Sequence, residues 1–534
     1  MNYDEARETY HVNVPELFNF ADDIVDRHAG TDDKFALHWV DDEGAAIQRT
    51  FSEVSNRSKR LANGMMEAGV QQGDTVVAVL SRELEWWDVM TASIRMGAII
   101  SPGTMQLSAN DLAYRVNTSG ATCIVTNTLG AEKFDQVADQ CSSVRTKIIV
   151  GGDREGWLNF DRILTASKED WSPISTRAED PAMCYFTSGT TGYPKMTIHN
   201  HGYALAHRST ALFWLDLKPE DLHWNISDTG WAKAAWSSYF APWLVGAGIF
   251  VHHTSGFNPK SVLKLLEEYP ITTMCGAPTV YRMLVQNELN GCRFKALRHC
   301  VAAGEPLNPE IISIWANAFG IKIRDGYGQT ETVLLCGNYP FLDVKPGSMG
   351  RAAPGIDLHV INNEGVSVVG EEGDIAVRVS PNRPAGLFAG YKGEPEKTAK
   401  CFRGDWYITG DRARVDDDGY FWFVSRADDV ILSSGYRIGP FEVESALLEH
   451  PAVVESAVVS SPDVERGEVV KAFVVLADGY AADDQTILIL QNHVKSVTAP
   501  YKYPRKIEFI DELPKTVSGK IRRVELRESE WASR

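Results

Sequence analysis

Tyr185-Phe186-Thr187-Ser188-Gly189-Thr190-Thr191-Gly192-Tyr193-Pro194-Lys195 is the stretch on which the rest of the chain turns. It follows an apolar run, Ala182-Met183-Cys184, that reads as the start of a buried strand. Beyond the strand, hydroxyl side chains alternate with glycines. Glycine lets backbone come close to a ligand, and amide N–H groups with hydroxyls can donate to phosphate oxygens. Lys195 adds a positive charge. At ~4 Å in a partly shielded site, the Coulomb attraction of lysine for phosphate is roughly 4 kcal/mol before desolvation is subtracted. No Gly-Lys-Ser/Thr closes the loop, so it is not a Walker loop. By composition alone, a Gly/Ser/Thr-rich surface loop fits equally well. The terminal Tyr193-Pro194-Lys195 argues for the anion-binding reading.

The strand before this loop is one of many. Apolar strands at 75–81, 122–126, 147–150 and 182–186 alternate with helices at 51–68 and 84–96. A second series runs from 201 to 324, with strands at 221–226, 249–252, 272–275, 299–302 and 322–324 between helices. Such alternation predicts parallel sheets covered on both faces. Before the first series, a helix over 13–28 and a hairpin of 36–40 with 46–50 are predicted. From 346 to 424 the helices thin out and short alternating runs predict a small β subdomain. Residues 428–534 change character again, with short strands, a helix at 442–449 and a basic tail. The predicted fold class is therefore α/β: a large N-terminal domain, 1–427, of two βα subdomains and a small β subdomain, then a mobile α+β domain, 428–534.

Composition narrows the function. The 534 residues leave room for several cores, and the 44% hydrophobic and 23% charged shares suit a soluble enzyme. A formal charge of −18 argues against a nucleic-acid binder and against attraction to anionic lipid. Eight scattered cysteines without a Cys-x-x-Cys pair predict reduced thiols and no zinc site. The N-terminal Met1-Asn2-Tyr3-Asp4-Glu5 is acidic, and no apolar run reaches ~18 residues, so a cytoplasmic protein without membrane insertion is expected. Oligomeric state is open, a homodimer included.

Further segments follow predicted strands, where open α/β sheets bind ligands. They are Asp228-Thr229-Gly230-Trp231, Gly304-Glu305-Pro306 and Asp325-Gly326-Tyr327-Gly328-Gln329-Thr330-Glu331. A tyrosine ring can stack on a base, and a carboxylate can hold Mg²⁺ through hard oxygen ligation. Downstream come Tyr407-Ile408-Thr409-Gly410-Asp411, then Ser425-Arg426-Ala427-Asp428-Asp429 and Ser433-Ser434-Gly435-Tyr436-Arg437-Ile438-Gly439-Pro440. Pro514-Lys515-Thr516-Val517-Ser518-Gly519-Lys520 opens the basic tail.

Taken together, six ordered segments over about 30–525 resemble the motifs of the adenylate-forming superfamily: acyl-CoA synthetases, peptide-synthetase adenylation domains and luciferases. Ser425 stands where family members usually have glycine. The resemblance implies an ATP-dependent, AMP-forming acid–thiol ligase with ATP, Mg²⁺ and coenzyme A as its small molecules and a carboxylic acid as substrate. It implies phosphate binding by Thr187, Ser188, Gly189, Thr190, Thr191, Gly192 and Lys195. ATP or AMP would also meet Gly304, Glu305, Pro306, Asp325, Gly326, Tyr327, Gly328 and Gln329, with Tyr327 stacked near adenine. Thr330 would contact the α-phosphate, Glu331 would bind Mg²⁺, Asp411 would accept from ribose, and Arg426 would reach ribose and phosphate. Lys520 would be the catalytic lysine, with Lys195, Thr330 and Glu331 as further catalytic groups. Asp428 would be the hinge. Trp231, Gly328 and Arg437 would border the acyl pocket. Coenzyme A would meet Ser434, Gly435, Tyr436, Arg466, Lys495, Tyr503, Pro504 and Arg505.

Acetate-specific relatives have tryptophan where this chain has Gly328, so an open acyl pocket is expected. The 501–506 run Tyr-Lys-Tyr-Pro-Arg-Lys is most similar to medium-chain acyl-CoA synthetases. Medium-chain or branched acids, or benzoate-like ones, are the expected substrates. Loading of a carrier protein, and an inactive sensor of AMP or acyl-adenylate, remain alternatives.

Overall fold

The computed structural model describes residues 2–31, 34–187, 194–427, 429–433, 436–463, 466–515 and 521–532, and only the backbone at Arg437. Two large sheets form its bulk. One has eight strands, six of them in parallel register, including Thr75–Val79, Ile99–Gly103 and Cys123–Asn127. The other has nine, with Leu222–Asn225, Gly248–His253, Thr273–Gly276, His299–Ala303 and Ile323–Gly328 parallel. All five residues of Thr75–Val79 are buried, as expected of a strand covered on both faces. Helices fill the space between and outside the sheets, and Trp86, Trp87, Trp214 and Trp243 are fully enclosed there.

Several elements depart from chain order. The hairpin Phe35–Asp41 with Ala46–Thr50 does not extend the nearby first sheet. It pairs in parallel with Gly248–His253 and forms one edge of the second. The predicted helix over 13–28 is a short helix at Tyr3–Thr9, an irregular segment, and helical turns from Ala21 to Thr31. Pro15 lies in the irregular segment, which suits its missing N–H. Arg95, fully buried, bonds Asp22 at 2.5 Å and Asp26 at 2.7 Å, pinning those turns to the helix Glu85–Arg95. Removing one partner of such a buried pair typically costs ~3–5 kcal/mol.

Pro181–Thr187 pairs antiparallel with Lys195–Asn200. A small five-stranded sheet follows, ending with Phe421–Arg426. Ile431–Ser433 then begins a separate five-stranded sheet, packed by the helices Pro440–Leu448 and Asp484–Val497 over its own apolar core. All eight cysteines are free, and among the described residues no helix is long and apolar enough to cross a membrane.

Candidate active site

A cleft of about 1880 Å³ opens at the carboxyl ends of both large sheets and is closed on its far side by the C-terminal domain. Thr187 and Lys195 are paired across two antiparallel strands, and both line the cleft. Ser188, Gly189, Thr190, Thr191 and Gly192 lie outside the described residues, as do Asp428, Ser434, Gly435, Lys520 and the Arg437 side chain. The Lys195 ammonium sits 4.9 Å from the centre of the Tyr391 ring.

Residues 325–328 belong to the strand Ile323–Gly328 itself, and the chain turns away only at Gln329. The strand aims Tyr327 at the small β sheet, where its hydroxyl donates to Asp411 Oδ2 at 2.6 Å. Gln329 Nε2 donates to the same oxygen at 2.7 Å and to the Thr409 carbonyl at 2.9 Å. Tyr407 donates to Gln329 Oε1 at 3.1 Å, fixing the amide. Arg426 pairs with Asp411 across two strands, its Nε 3.8 Å from Oδ1. Asp411 is thus a buried acceptor held in place by two donors. Asp325 is also enclosed, and burial pushes its carboxyl up to about 8.

The turn at Thr330 and Glu331 is tied from both sides. His199 bonds the Thr330 carbonyl at 2.7 Å and stacks on Tyr203 with ring centres 3.8 Å apart. Burial drives the His199 imidazole down to about 4, so it is neutral. Tyr391 donates to Glu331 Oε1 at 2.7 Å, and Phe388 N–H donates to the Glu331 carbonyl at 2.8 Å. Gly304, at φ +110°, makes the turn after His299–Ala303, and Glu305 accepts from Thr279 at 3.1 Å and Arg282 at 3.3 Å.

Trp231 lines the cleft beside a helix whose Lys233 donates to the carbonyls of Gly276 (2.8 Å) and Ala303 (2.7 Å). A Cβ on Gly328 would stand 2.6 Å from the Trp236 ring and 2.6 Å from the Val333 carbonyl oxygen. The space vacated at Gly328 is therefore taken by Trp236, whose indole N–H bonds Tyr203 at 2.8 Å. The glycine admits a tryptophan from another element and does not by itself widen the cleft. Lys233, Trp236 and Tyr391 carry no motif and have no role in the sequence-based expectations, whereas Tyr407 heads the 407–411 segment. A period-3 spacing of Lys233 and Trp236 behind Trp231 was the one available signal.

The structure does not bring the remaining predicted residues to the cleft. Tyr436 is 53% exposed and stacks on Tyr501 at 4.4 Å. Lys495 lies 4.1 Å over the Tyr503 ring, and Arg505 donates to the Tyr503 hydroxyl at 2.8 Å. Gln491 holds the Pro504 carbonyl at 3.0 Å, and the Arg466 backbone N–H donates to Asp463 at 2.9 Å. Among the described residues lining the cleft, none of these six appears; the domain presents Asp429, Phe441, Glu444, Ser456 and 521–525 instead.

The family model described as AMP-binding enzyme matches residues 25–392, and that described as AMP-binding enzyme C-terminal domain matches 442–520. The chain is 51% identical over 542 residues to the acyl-coenzyme A synthetase ACSM3, mitochondrial, of Homo sapiens, covering 99% of this chain and 92% of that protein. Among solved structures, an acyl-CoA synthetase of Brucella canis is 34% identical with a TM-score of 0.77, covering 100% of this chain and 99% of that one. The anthranilate CoA ligase AuaEII in complex with anthranoyl-AMP is 29% identical with a TM-score of 0.89, covering 97% and 98%. The human relative's name overturns the expectation of a cytoplasmic protein. That expectation rested on a missing apolar leader, which bears on secretion, whereas mitochondrial transit segments are amphipathic. With matches spanning both domains, the chain belongs to the AMP-binding enzyme family, among its acyl-coenzyme A synthetases.

Proposed function

We propose that the protein condenses a carboxylic acid with ATP to an acyl-adenylate and pyrophosphate, then transfers the acyl group to coenzyme A with release of AMP. The observation that carries this reading is the convergence of Lys195, Glu331, Tyr327 and Asp411 on one cleft. A carboxylate oxygen attacks the α-phosphorus, and charge develops on phosphoryl oxygens. Preorganised cations and donors stabilise such charge more than water does. Lys195 and Thr330 are assigned to the phosphates, and Asp411, held by Tyr327 and Gln329 on one oxygen and beside Arg426 on the other, is assigned the ribose hydroxyls. Lys520 is assigned the reacting phosphate; Ile521, which follows it, lines the cleft.

Mg²⁺ fits as a companion of the triphosphate. Among the described residues no cluster of three or more His, Cys, Asp or Glu could cage a resident metal, but Glu331 offers one hard carboxylate oxygen, Oε2, beside the one that Tyr391 occupies. Mg²⁺ is commonly held by one or two carboxylates plus substrate phosphates. It would neutralise phosphate charge there.

The acid is assigned to the medium-chain, branched or benzoate-like class. Trp224, Ile226, Trp231, Trp236 and Met349 line the inner cleft and suit an apolar chain or ring. Each buried methylene contributes ~0.8 kcal/mol, so neighbouring chain lengths differ only modestly. Residues 428–534 act as the mobile unit, turning about Asp428 between the half-reactions to exchange the Lys520 side for the Tyr436 side. The exposure of Tyr436 and Tyr501 away from the cleft supports that exchange.

A panel of acids assayed for pyrophosphate release, with and without free coenzyme A, tests the reading. Release with C6–C10 acids and thioester formation with coenzyme A alone are expected. Release without any thioester would point to a carrier protein as acceptor, and no release with any acid would leave a sensor.

A further inference from the structure

Resting on that reading, we propose that Lys400, acting with Lys195, forms the binding site for the pyrophosphate leaving group. The residues come together through a strap that no sequence motif marks. Gly390 and Tyr391 add an antiparallel strand to Lys195–Asn200, the strand that leaves the phosphate loop. Ala389 and Lys392 N–H groups donate to the carbonyls of Ile198 (2.7 Å) and Met196 (2.9 Å) and extend the pairing. Thr398 then folds the following helix, Pro395–Ala399, back onto the strap by accepting from Tyr391 N–H at 2.9 Å and donating to the Glu394 carbonyl at 3.0 Å. Tyr391, Lys397, Lys400 and Cys401 thereby line the same cleft as Thr187, Pro194, Lys195 and Glu331, and Tyr391 touches both Lys195 and Glu331.

The charges at this end do not cancel. Glu394 is paired with Lys397, while Glu331 accepts from the neutral Tyr391 hydroxyl and keeps its charge, so Lys195 and Lys400 face one carboxylate. Among the described residues no carboxylate or carbonyl accepts from the ammonium groups of Lys195 or Lys400. In a chain of formal charge −18, two such cations against one carboxylate leave a local positive excess that suits an anion. The reaction supplies one. As the acid's oxygen forms its bond to the α-phosphorus, the bond from that phosphorus to the oxygen bridging the β-phosphate breaks. The electron pair leaves on pyrophosphate, so negative charge moves outward from the reacting phosphorus toward the strap. Lys195 lies over the Tyr391 ring, and Lys400 precedes Cys401, whose thiol feels the Lys195 charge and bonds Tyr391, so the second cation is carried by the same strap. The same strap fixes Glu331 through Tyr391, so metal-side carboxylate and leaving-group cation share one mechanical support.

The test compares Lys400→Ala and Lys400→Arg with the parent protein. Three quantities are measured: inhibition of adenylation by inorganic pyrophosphate, inhibition by AMP, and acyl transfer to coenzyme A from synthetic acyl-AMP, a step without pyrophosphate. Lys400→Ala is expected to weaken pyrophosphate inhibition by about tenfold, the size of one charge-assisted contact discounted for exposure. AMP inhibition and transfer from acyl-AMP should be unchanged, and Lys400→Arg should restore pyrophosphate binding. Unchanged pyrophosphate inhibition in Lys400→Ala, or equal weakening toward AMP, would overturn the proposal. If the parent protein releases no pyrophosphate with any acid, it is the adenylation reading that fails.

Discussion

Two regions of this molecule to which the proposed reaction is assigned are built in opposite ways. Around Asp411 every side chain is committed: Tyr327, Gln329 and Tyr407 form a chain of bonds between 2.6 and 3.1 Å before any nucleotide arrives. Around Tyr436, by contrast, the aromatic and basic groups stack on one another at the surface, half exposed and turned away from the cleft. Preorganised donors cost no reorganisation at the moment of reaction, so they suit the half-reaction in which charge develops on phosphate. A thiol substrate that must wait for the adenylate is better served by a surface delivered later by domain motion.

The contrast breaks or sharpens under substitution. The largest effect belongs to Lys520→Ala, expected to lower acid-dependent pyrophosphate exchange by roughly 10²–10³-fold, the scale of losing one charge-stabilising donor. Transfer from synthetic acyl-AMP should survive in this variant, and parallel loss of both steps would remove the division of labour. Asp411→Asn keeps the shape but weakens the ribose acceptor. It should raise the KM for ATP by about 10–30-fold with the KM for coenzyme A unchanged, one lost hydrogen bond to a charged group being ~1.5–3 kcal/mol. Tyr436→Ala should do the reverse, raising the KM for coenzyme A about fivefold to tenfold and leaving that for ATP alone; base–aromatic stacking is worth ~1–3 kcal/mol.

A smaller effect concerns Asp325. Its folded-state carboxyl, raised to about 8 by burial, is protonated where the unfolded chain's is not. Its contribution to stability is therefore full below the ordinary carboxylate range and is lost as pH climbs toward 8. Thermal unfolding of the ligand-free protein between pH 5 and 8 should show a steeper fall for the parent than for Asp325→Asn, and identical slopes would refute the assignment.

Much of the site was legible because its chemistry is written in short contiguous runs. The strand–turn context of 325–331 and of 407–411 could be read locally, and the structure does place Tyr327 against Asp411. What could not be read depends on chain segments far apart. Tyr391 reaches Glu331 only because a two-residue strand crosses to Lys195–Asn200, almost two hundred residues away. Trp236 fills the hollow at Gly328 because a helix from the middle of the chain packs over that strand. Neither partner has a local signature, since a lone tyrosine or tryptophan reads as ordinary core. The hairpin at 35–50 was correctly expected as a hairpin, but its sheet was chosen by the open edge at Gly248–His253.

By itself, then, the order of residues determined the alternating layers, the small β subdomain and several of the segments that meet at the cleft, because periodicity and short motifs act within a few residues. Only the tertiary structure decided which strand edges met, which carboxylates were already occupied, and which side of the small domain faced the cleft. Those outcomes follow from burying apolar surface and satisfying backbone bonds between distant segments, terms that no local stretch contains.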